Sequence, residues 1–349
     1  MPSPIPLARF LPSVEIRSYN SSPLVLSCKR GPFASSPPVR ERVLPPRLAW
    51  CSIDWGEVQI LEPLGSGGFG HVYRATYRGE TVAVKKVNRC VKNRLASRQS
   101  FWSELNAVQL PRHPNLVKVL AAGPCGPGDA EGLEAVIMEY AGSSTLHHAI
   151  YNCPGSDLGF ARCLTYSRDL TRGLAFLHAH NIVHLDLKPA NVLLARRGPH
   201  TCCKIGDFGC SLRLHLLDPG AATGLTGGTY THRAPELLRG LPATRKADIF
   251  SFAITLWQMV SRRVPYEGVE RQCVIYAVVA YQLRPTLSDP IFSAPNSLGA
   301  CFRGTIERCW AAQPEERPGA KCLLEELDNI QDSENQAQER CSTPDLPVY

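Results

Sequence analysis

Asp186, Lys188 and Asn191 lie on one short stretch, His184-Leu185-Asp186-Leu187-Lys188-Pro189-Ala190-Asn191. A carboxylate, a cation two residues later and an amide five residues later are groups suited to moving a phosphoryl group onto a hydroxyl. In that reading Asp186 accepts or orients the hydroxyl and Lys188 steadies the γ-phosphoryl, while Asn191 holds a metal on the far side. Asp207-Phe208-Gly209 follows at the end of a strand-like run over 202–205. There Asp207 suits a Mg²⁺ bridging the β- and γ-phosphates, with Phe208 as a packing anchor. His184 reads as a packed, hydrogen-bonded core histidine rather than a proton carrier.

A phosphoryl donor needs a cradle, and the segment 65–72 offers one: Gly65, Ser66, Gly67, Gly68, Phe69, Gly70, His71 and Val72. Glycines at 65, 67 and 70 let backbone amides approach phosphate oxygens without obstruction by Cβ. A dinucleotide-binding glycine turn opens a helix. Here Val72, Tyr73, Ala75 and Tyr77 favour a strand instead, so the glycines join two strands, 58–64 and 72–77. A third strand over 81–85 ends in Lys85, which needs a carboxylate to hold it. Glu104, in a helical stretch from about 98 to 110, is the one acidic residue between Glu80 and Asp129. A Lys85–Glu104 pair positioning the α- and β-phosphates is therefore expected. After a strand over 134–138, Glu139-Tyr140-Ala141-Gly142 reads as a hinge. Backbone groups of Glu139 and Ala141 would read an adenine edge, and Leu64, Val72, Ala83 and Leu193 would sandwich its faces.

The elements that must carry these groups fit within 349 residues, enough for two lobes with tails. Residues 1–49 contain ten of the 29 prolines and seven Arg/Lys against two Glu, so five of the seven net positive charges lie there. A disordered tail is expected over 1–49, since proline removes backbone donors. The near-neutral remainder argues against a nucleic-acid partner. The basic run 85–98 reads as a solvated face. Fourteen cysteines without zinc spacing read as reduced thiols in a cytoplasmic protein. Cys210 reads as inert packing. No apolar run is long enough to span a bilayer. Cys163, Leu170, Leu174 and Leu177 recur at helical spacing and deliver the chain to His184. A polar, disordered tail is expected over 331–349.

Taken together, the glycine loop, Lys85, Glu104, the 184–191 stretch, Asp207-Phe208-Gly209 and Ala234-Pro235-Glu236 resemble the eukaryotic protein kinase superfamily over about 58–330. The resemblance implies an α+β, two-lobed protein kinase fold, with a small β-rich lobe over 58–142 and a larger helical lobe over 143–330. It implies ATP and Mg²⁺ as cofactors, a protein substrate, no membrane, and a monomer. It further implies that Thr229 bridges Asp186 and Lys188, as in kinases acting on serine and threonine, that Glu236 pairs with Arg317, and that Asp248 braces the loop at 184–191. Lys188-Pro189 and Thr229 disfavour a tyrosine kinase. Thr229 with Ala234-Pro235-Glu236 disfavours a small-molecule kinase, and the presence of Lys85, Asp186, Asn191 and Asp207 disfavours a catalytically weak scaffold. The stretches 50–55, 92–98, 184–186, 230–233 and 249–259 resemble, within that superfamily, the Mos family of serine/threonine kinases. That resemblance implies MAP kinase kinase as substrate and a role in oocyte meiotic maturation and metaphase arrest. Leu185 departs from the arginine usual in the superfamily, a cation that a phosphorylated activation loop must neutralise. Activity without phosphate on 207–236 is the expectation.

Overall fold

The computed structural model describes residues 52–67, 70–87, 100–101, 103–107, 110–126, 134–152, 158–198, 200–214, 227–293 and 297–342. The expected tail over 1–49, Gly68 and Phe69 of the glycine loop, and most of the basic run 85–98 lie outside them.

Alternating apolar and polar residues in the first third give five antiparallel strands. They are β1 (Val58–Gly67), β2 (Gly70–Tyr77), β3 (Glu80–Val87), β4 (Val119–Pro124) and β5 (Glu134–Glu139), in the order β1-β2-β3-β5-β4. Alternation puts Ala75, Val82, Val84, Ala121, Ala135 and Ile137 into one buried cluster, with Trp55 packed against it. The other face joins the main core through Val87, Val119, Ala122 and Val136. β4 carries no strand signal in the sequence, because Val119-Leu-Ala-Ala-Gly-Pro is short and rich in small residues. The helix expected over 98–110 is shorter among the described residues. Positions 100, 101, 103 and 104 are helical, and the chain then tightens into a 3₁₀ turn at Leu105–Ala107.

The rest is mainly helical: α1 (Leu146–Tyr151), α2 (Phe160–Ala179), α3 (Pro235–Leu238), α4 (Arg245–Ser261), α5 (Arg271–Ala280), α6 (Leu298–Cys309) and α7 (Ala320–Ser342). Short strands β6 (Ile182–Val183) and β9 (Leu212–Arg213) pair, as do β7 (Val192–Arg197) and β8 (His200–Ile205). Capping oxygens start three of the helices: Thr145 for α1, Thr244 for α4 and Ser297 for α6. α4 is apolar on nearly all sides and is buried from Ala247 to Val260, making it the axis of the helical part. α7 packs along α2, where Arg168 Nε donates to Asp328 Oδ1 at 2.6 Å. It continues to Ser342, so 331–342 is helical where a disordered polar tail was expected. Among the described residues no helix is long and apolar enough to cross a membrane.

Candidate active site

The loop 184–191 is held by one buried carboxylate. Asp248, on the first turn of α4, accepts from the backbone N–H of His184 (2.9 Å) and of Leu185 (2.8 Å), and pairs with His178 Nε2 (2.8 Å). Burial would raise Asp248, but the hydrogen bond and charge of His178 outweigh it and hold the carboxyl below its ordinary value. Leu185 adopts φ 64°, turning the chain so that Asp186 follows on the cleft side. His184 is buried and its Nε2 meets the Gly206 carbonyl at 3.0 Å, the core role expected of it.

Asp186 is a hub. Oδ1 accepts from Thr229 N (2.8 Å), and Oδ2 accepts from Lys188 Nζ (2.9 Å) and Asn191 Nδ2 (3.1 Å). Lys188 Nζ also donates to Thr229 Oγ1 at 2.6 Å, so the bridge inferred from the resemblance is present. Gly228 makes this possible: its φ is +96°, and a Cβ there would lie 2.9 Å from the Leu185 carbonyl oxygen. Asn191 Nδ2 also donates to the Asp186 carbonyl (2.8 Å). With the amide nitrogen so engaged, the amide oxygen is the atom of Asn191 that would be left to hold a metal.

Lys85 reaches the same cleft from β3. Its Nζ lies 2.6 Å from Glu104 Oε1 and 2.6 Å from Asp207 Oδ1, and all three residues come from distant parts of the chain. Glu104 was expected; Asp207 at the same ammonium was not, because nothing local links positions 122 residues apart. Burial would lower Lys85, yet the charges of Glu104 and Asp207 hold it above its ordinary value. Burial would raise Asp207, but Lys85 draws it down to about 2. Glu104 is pushed up by burial, against the pull of Lys85, with Asp207 adding to the rise. Two carboxylates sharing one ammonium cannot both be fully compensated, and the more buried one loses. Glu104 Oε2 also accepts from Phe208 N at 3.2 Å, fastening the Asp207-Phe208-Gly209 turn, while Phe208 packs edge-on against His184. Asp207 itself has φ 57°, which turns its carboxylate toward Lys85.

Of the glycine loop, Gly65, Ser66 and Gly67 pair with Val72, His71 and Gly70 as the tip of the β1–β2 hairpin. Gly70 serves packing rather than phosphate approach: with φ +151°, a Cβ would sit 2.1 Å from the Lys86 carbonyl oxygen. A Cβ on Gly65 would meet nothing within 4 Å, as open space for a phosphate requires. Leu64, Val72 and Ala83 lie on β1, β2 and β3, and Leu193 on β7. Ala141 is buried beside Val117 and Ala195, with Leu193 packed against them. Glu139 ends β5, and its carboxylate, unremarked in the sequence, accepts from Lys118 N (2.9 Å) and Lys204 Nζ (2.8 Å). Cys210 is held up to about 12 by burial and by the charges of Asp186 and Asp207, so it stays a thiol at neutral pH, as inert packing requires. Glu236 and Arg317 form a bidentate pair at 2.7 and 2.8 Å, with the Arg317 side chain wholly buried.

Residues 58–327 match the family described as "Protein kinase domain". The chain is 58% identical to "Serine/threonine-protein kinase mos" of Xenopus laevis, over 94% of this chain and 92% of that relative. It is 53% identical to the Gallus gallus protein of the same name, over 94% and 98% respectively. The chain belongs to the Mos family of serine/threonine protein kinases. A further relative, "Proto-oncogene serine/threonine-protein kinase mos" of Mus musculus, is 49% identical over 94% of this chain and 98% of its own length. As a member of the Mos family the chain is a serine/threonine protein kinase that uses ATP with a divalent metal and takes a protein substrate. The residues present fit that metal: the Asp207 carboxylate and the Asn191 amide oxygen are hard oxygen donors.

Proposed function

We propose that this protein transfers the γ-phosphoryl of Mg-ATP to serine or threonine of MAP kinase kinase, as a monomeric cytoplasmic enzyme supporting oocyte meiotic maturation and metaphase arrest. The catalytic reading rests above all on one observation: Asp186 and Lys188 are both joined to Thr229, at 2.8 and 2.6 Å. This brings a base, a cation and the phosphoacceptor platform to one point. The choice of substrate and pathway rests on the likeness to Mos kinases and on what that likeness implies.

In this mechanism the Asp186 carboxylate orients the incoming hydroxyl and takes its proton as the new P–O bond forms and the bond from the γ-phosphorus to the bridging oxygen breaks, with ADP as the leaving group. Lys188 neutralises charge gathering on the transferred phosphoryl. Lys85, steadied by Glu104, holds the α- and β-phosphates. Asp207 and Asn191 would hold the Mg²⁺, whose chemistry when bound is to neutralise phosphate charge. Backbone amides of Gly65, Ser66 and Gly67, with His71 at the loop's edge, would cover the phosphates, while Gly68 and Phe69, expected to share that role, lie outside the described residues. Leu64, Val72, Ala83 and Leu193 enclose the adenine. With Glu139 N already donating to Lys118 O at 2.9 Å, it is the Glu139 carbonyl, with the Ala141 backbone, that reads the adenine edge. The enzyme works without phosphate on its activation loop, since Leu185 presents no cation for such a phosphate to neutralise.

The test is transfer from Mg-ATP to purified, kinase-inactive MAP kinase kinase. Asp186→Asn and Lys85→Met are each expected to lower kcat by roughly 10²-fold or more. Transfer to a generic protein but not to MAP kinase kinase would discard the substrate. Full activity in both variants would discard the mechanism.

A further inference from the structure

Among the described side chains, every arginine but three makes a hydrogen bond, an ion pair or a ring contact. The three are Arg112, Arg162 and Arg196, all exposed. They belong to separate parts of the chain: the loop before β4, the first turn of α2 and the strand β7. Yet all three line one groove. It consists of two hollows, of about 390 and 760 Å³, which share Glu139, Ala195, Arg196 and Lys204 as walls. Leu64, Val72, Ala83, Leu193, Asp186 and Thr229 are absent from those walls, so the groove is separate from the cleft described above.

Lys118 and Lys204 bring the groove to five cations against one carboxylate, Glu139. That carboxylate is already engaged, accepting from Lys118 N and from Lys204 Nζ, and it leaves the three arginines uncompensated. Neighbouring groups register the gathered charge. Burial pushes both His113 and Lys118 down; the charges of Lys204 and Arg172 lower His113 further, and that of Arg112 lowers Lys118 further. One solvated arginine is ordinary, but cations of one sign lining a concave surface focus an attractive field on an anion. The floor is apolar, with Leu158 buried and Leu194 half-buried. Aliphatic side chains fit such a floor, and a nucleic acid has none to offer. Two hollows in series, with arginines on three elements, suit a chain bearing several carboxylates rather than a single small anion. The protein's own 1–49 segment, with seven Arg/Lys against two Glu, has the wrong sign to fill them. We infer that this groove is a docking site for an extended, acidic segment of a partner protein, its carboxylates paired by Arg112, Arg162 and Arg196 and its aliphatic side chains seated on Leu158 and Leu194.

The experiment pans a phage-displayed library of random peptides against the full chain held in saturating Mg-ADP, then measures binding of a fluorescein-labelled copy of an enriched peptide by anisotropy. The enriched sequences are expected to interleave Asp or Glu with Leu, Ile or Val. Binding should weaken about tenfold or more in the triple variant Arg112→Ala/Arg162→Ala/Arg196→Ala, and in the wild type as salt is raised. The triple variant Arg112→Lys/Arg162→Lys/Arg196→Lys keeps the charge and should bind within about fivefold of wild type. Enriched peptides without acidic residues would overturn the docking site, as would an acidic peptide that binds the wild type and the alanine variant equally. Equal losses in the alanine and lysine variants would also overturn it, since they would mark a disturbed fold rather than a lost charge. A short labelled oligouridylate that binds these arginines more tightly than the peptide would make the occupant a nucleic acid and overturn the inference.

Discussion

Leu185 occupies the left-handed region at φ 64° with its side chain 8% exposed in the main core. A non-glycine residue there costs about 1–3 kcal/mol. The cost is offset by the Asp248 bond to its N–H and by burial of its side chain. Arginine at this position would bring a second cation near Arg233, whose Nη1 lies across Gly228 from the Leu185 carbonyl. Leu185→Arg is therefore expected to lower stability by about 1–3 kcal/mol, read as a fall in the urea midpoint. It should also make activity depend on phosphate in the activation loop, while dephosphorylated wild type keeps full activity. Loss of wild-type activity on phosphatase treatment would refute this. The departure at Leu185 was legible in the sequence, as were Asp186, Lys188 and Asn191, because a loop of eight residues keeps its chemistry local. The Asp207–Lys85 contact was not legible, since only the tertiary fold brings those positions together.

Among the elements, α4 matters most because its first turn carries Asp248, which meets three donors on two other segments. Asp248→Asn replaces a double acceptor with a single one and sets an amide N–H against backbone N–H groups. A loss of about 2–4 kcal/mol is expected, with kcat reduced at least tenfold and KM for ATP nearly unchanged. A raised KM with unaltered kcat would show instead that Asp248 supports the nucleotide lobe. β1 to β3 were legible from their β-favouring residues and α2 from its helical spacing, whereas α4 to α7 were not read as individual helices. β4 was not, because small residues with glycine and proline hide a strand that only pairing with β5 defines. The end of α7 was hidden for the opposite reason. Beyond Ile330 its described side chains are mostly exposed and give no apolar period, so the helix there reads as a polar tail.

On the scale of the whole molecule, His232 couples stability to pH. It is buried between Gln258 Oε1 (2.6 Å) and Thr231 Oγ1 (3.0 Å), and burial, only partly opposed by the Gln258 hydrogen bond, pushes it down to about 4. The unfolded chain takes up this proton near its ordinary value of about 6.5 and the folded chain does not. Its contribution is therefore complete above about pH 6.5 and is lost as pH falls toward 4, on the order of 3 kcal/mol in all. Urea midpoints measured across that range should fall less steeply for His232→Gln, and parallel profiles would refute the assignment. The Glu236–Arg317 pair has another consequence, for synthesis. Eighty-one residues separate the partners, and Glu236 is buried beside the platform that carries Thr229. A nascent chain that has emerged through Thr229 holds every group the chemistry needs, yet an internal carboxylate still lacks its cation until position 317 leaves the ribosome. Breaking such a pair costs about 3–5 kcal/mol, a large share of a domain's net stability. Chains terminated before position 317 are therefore expected to lack kinase activity, which an assay of such truncations would check.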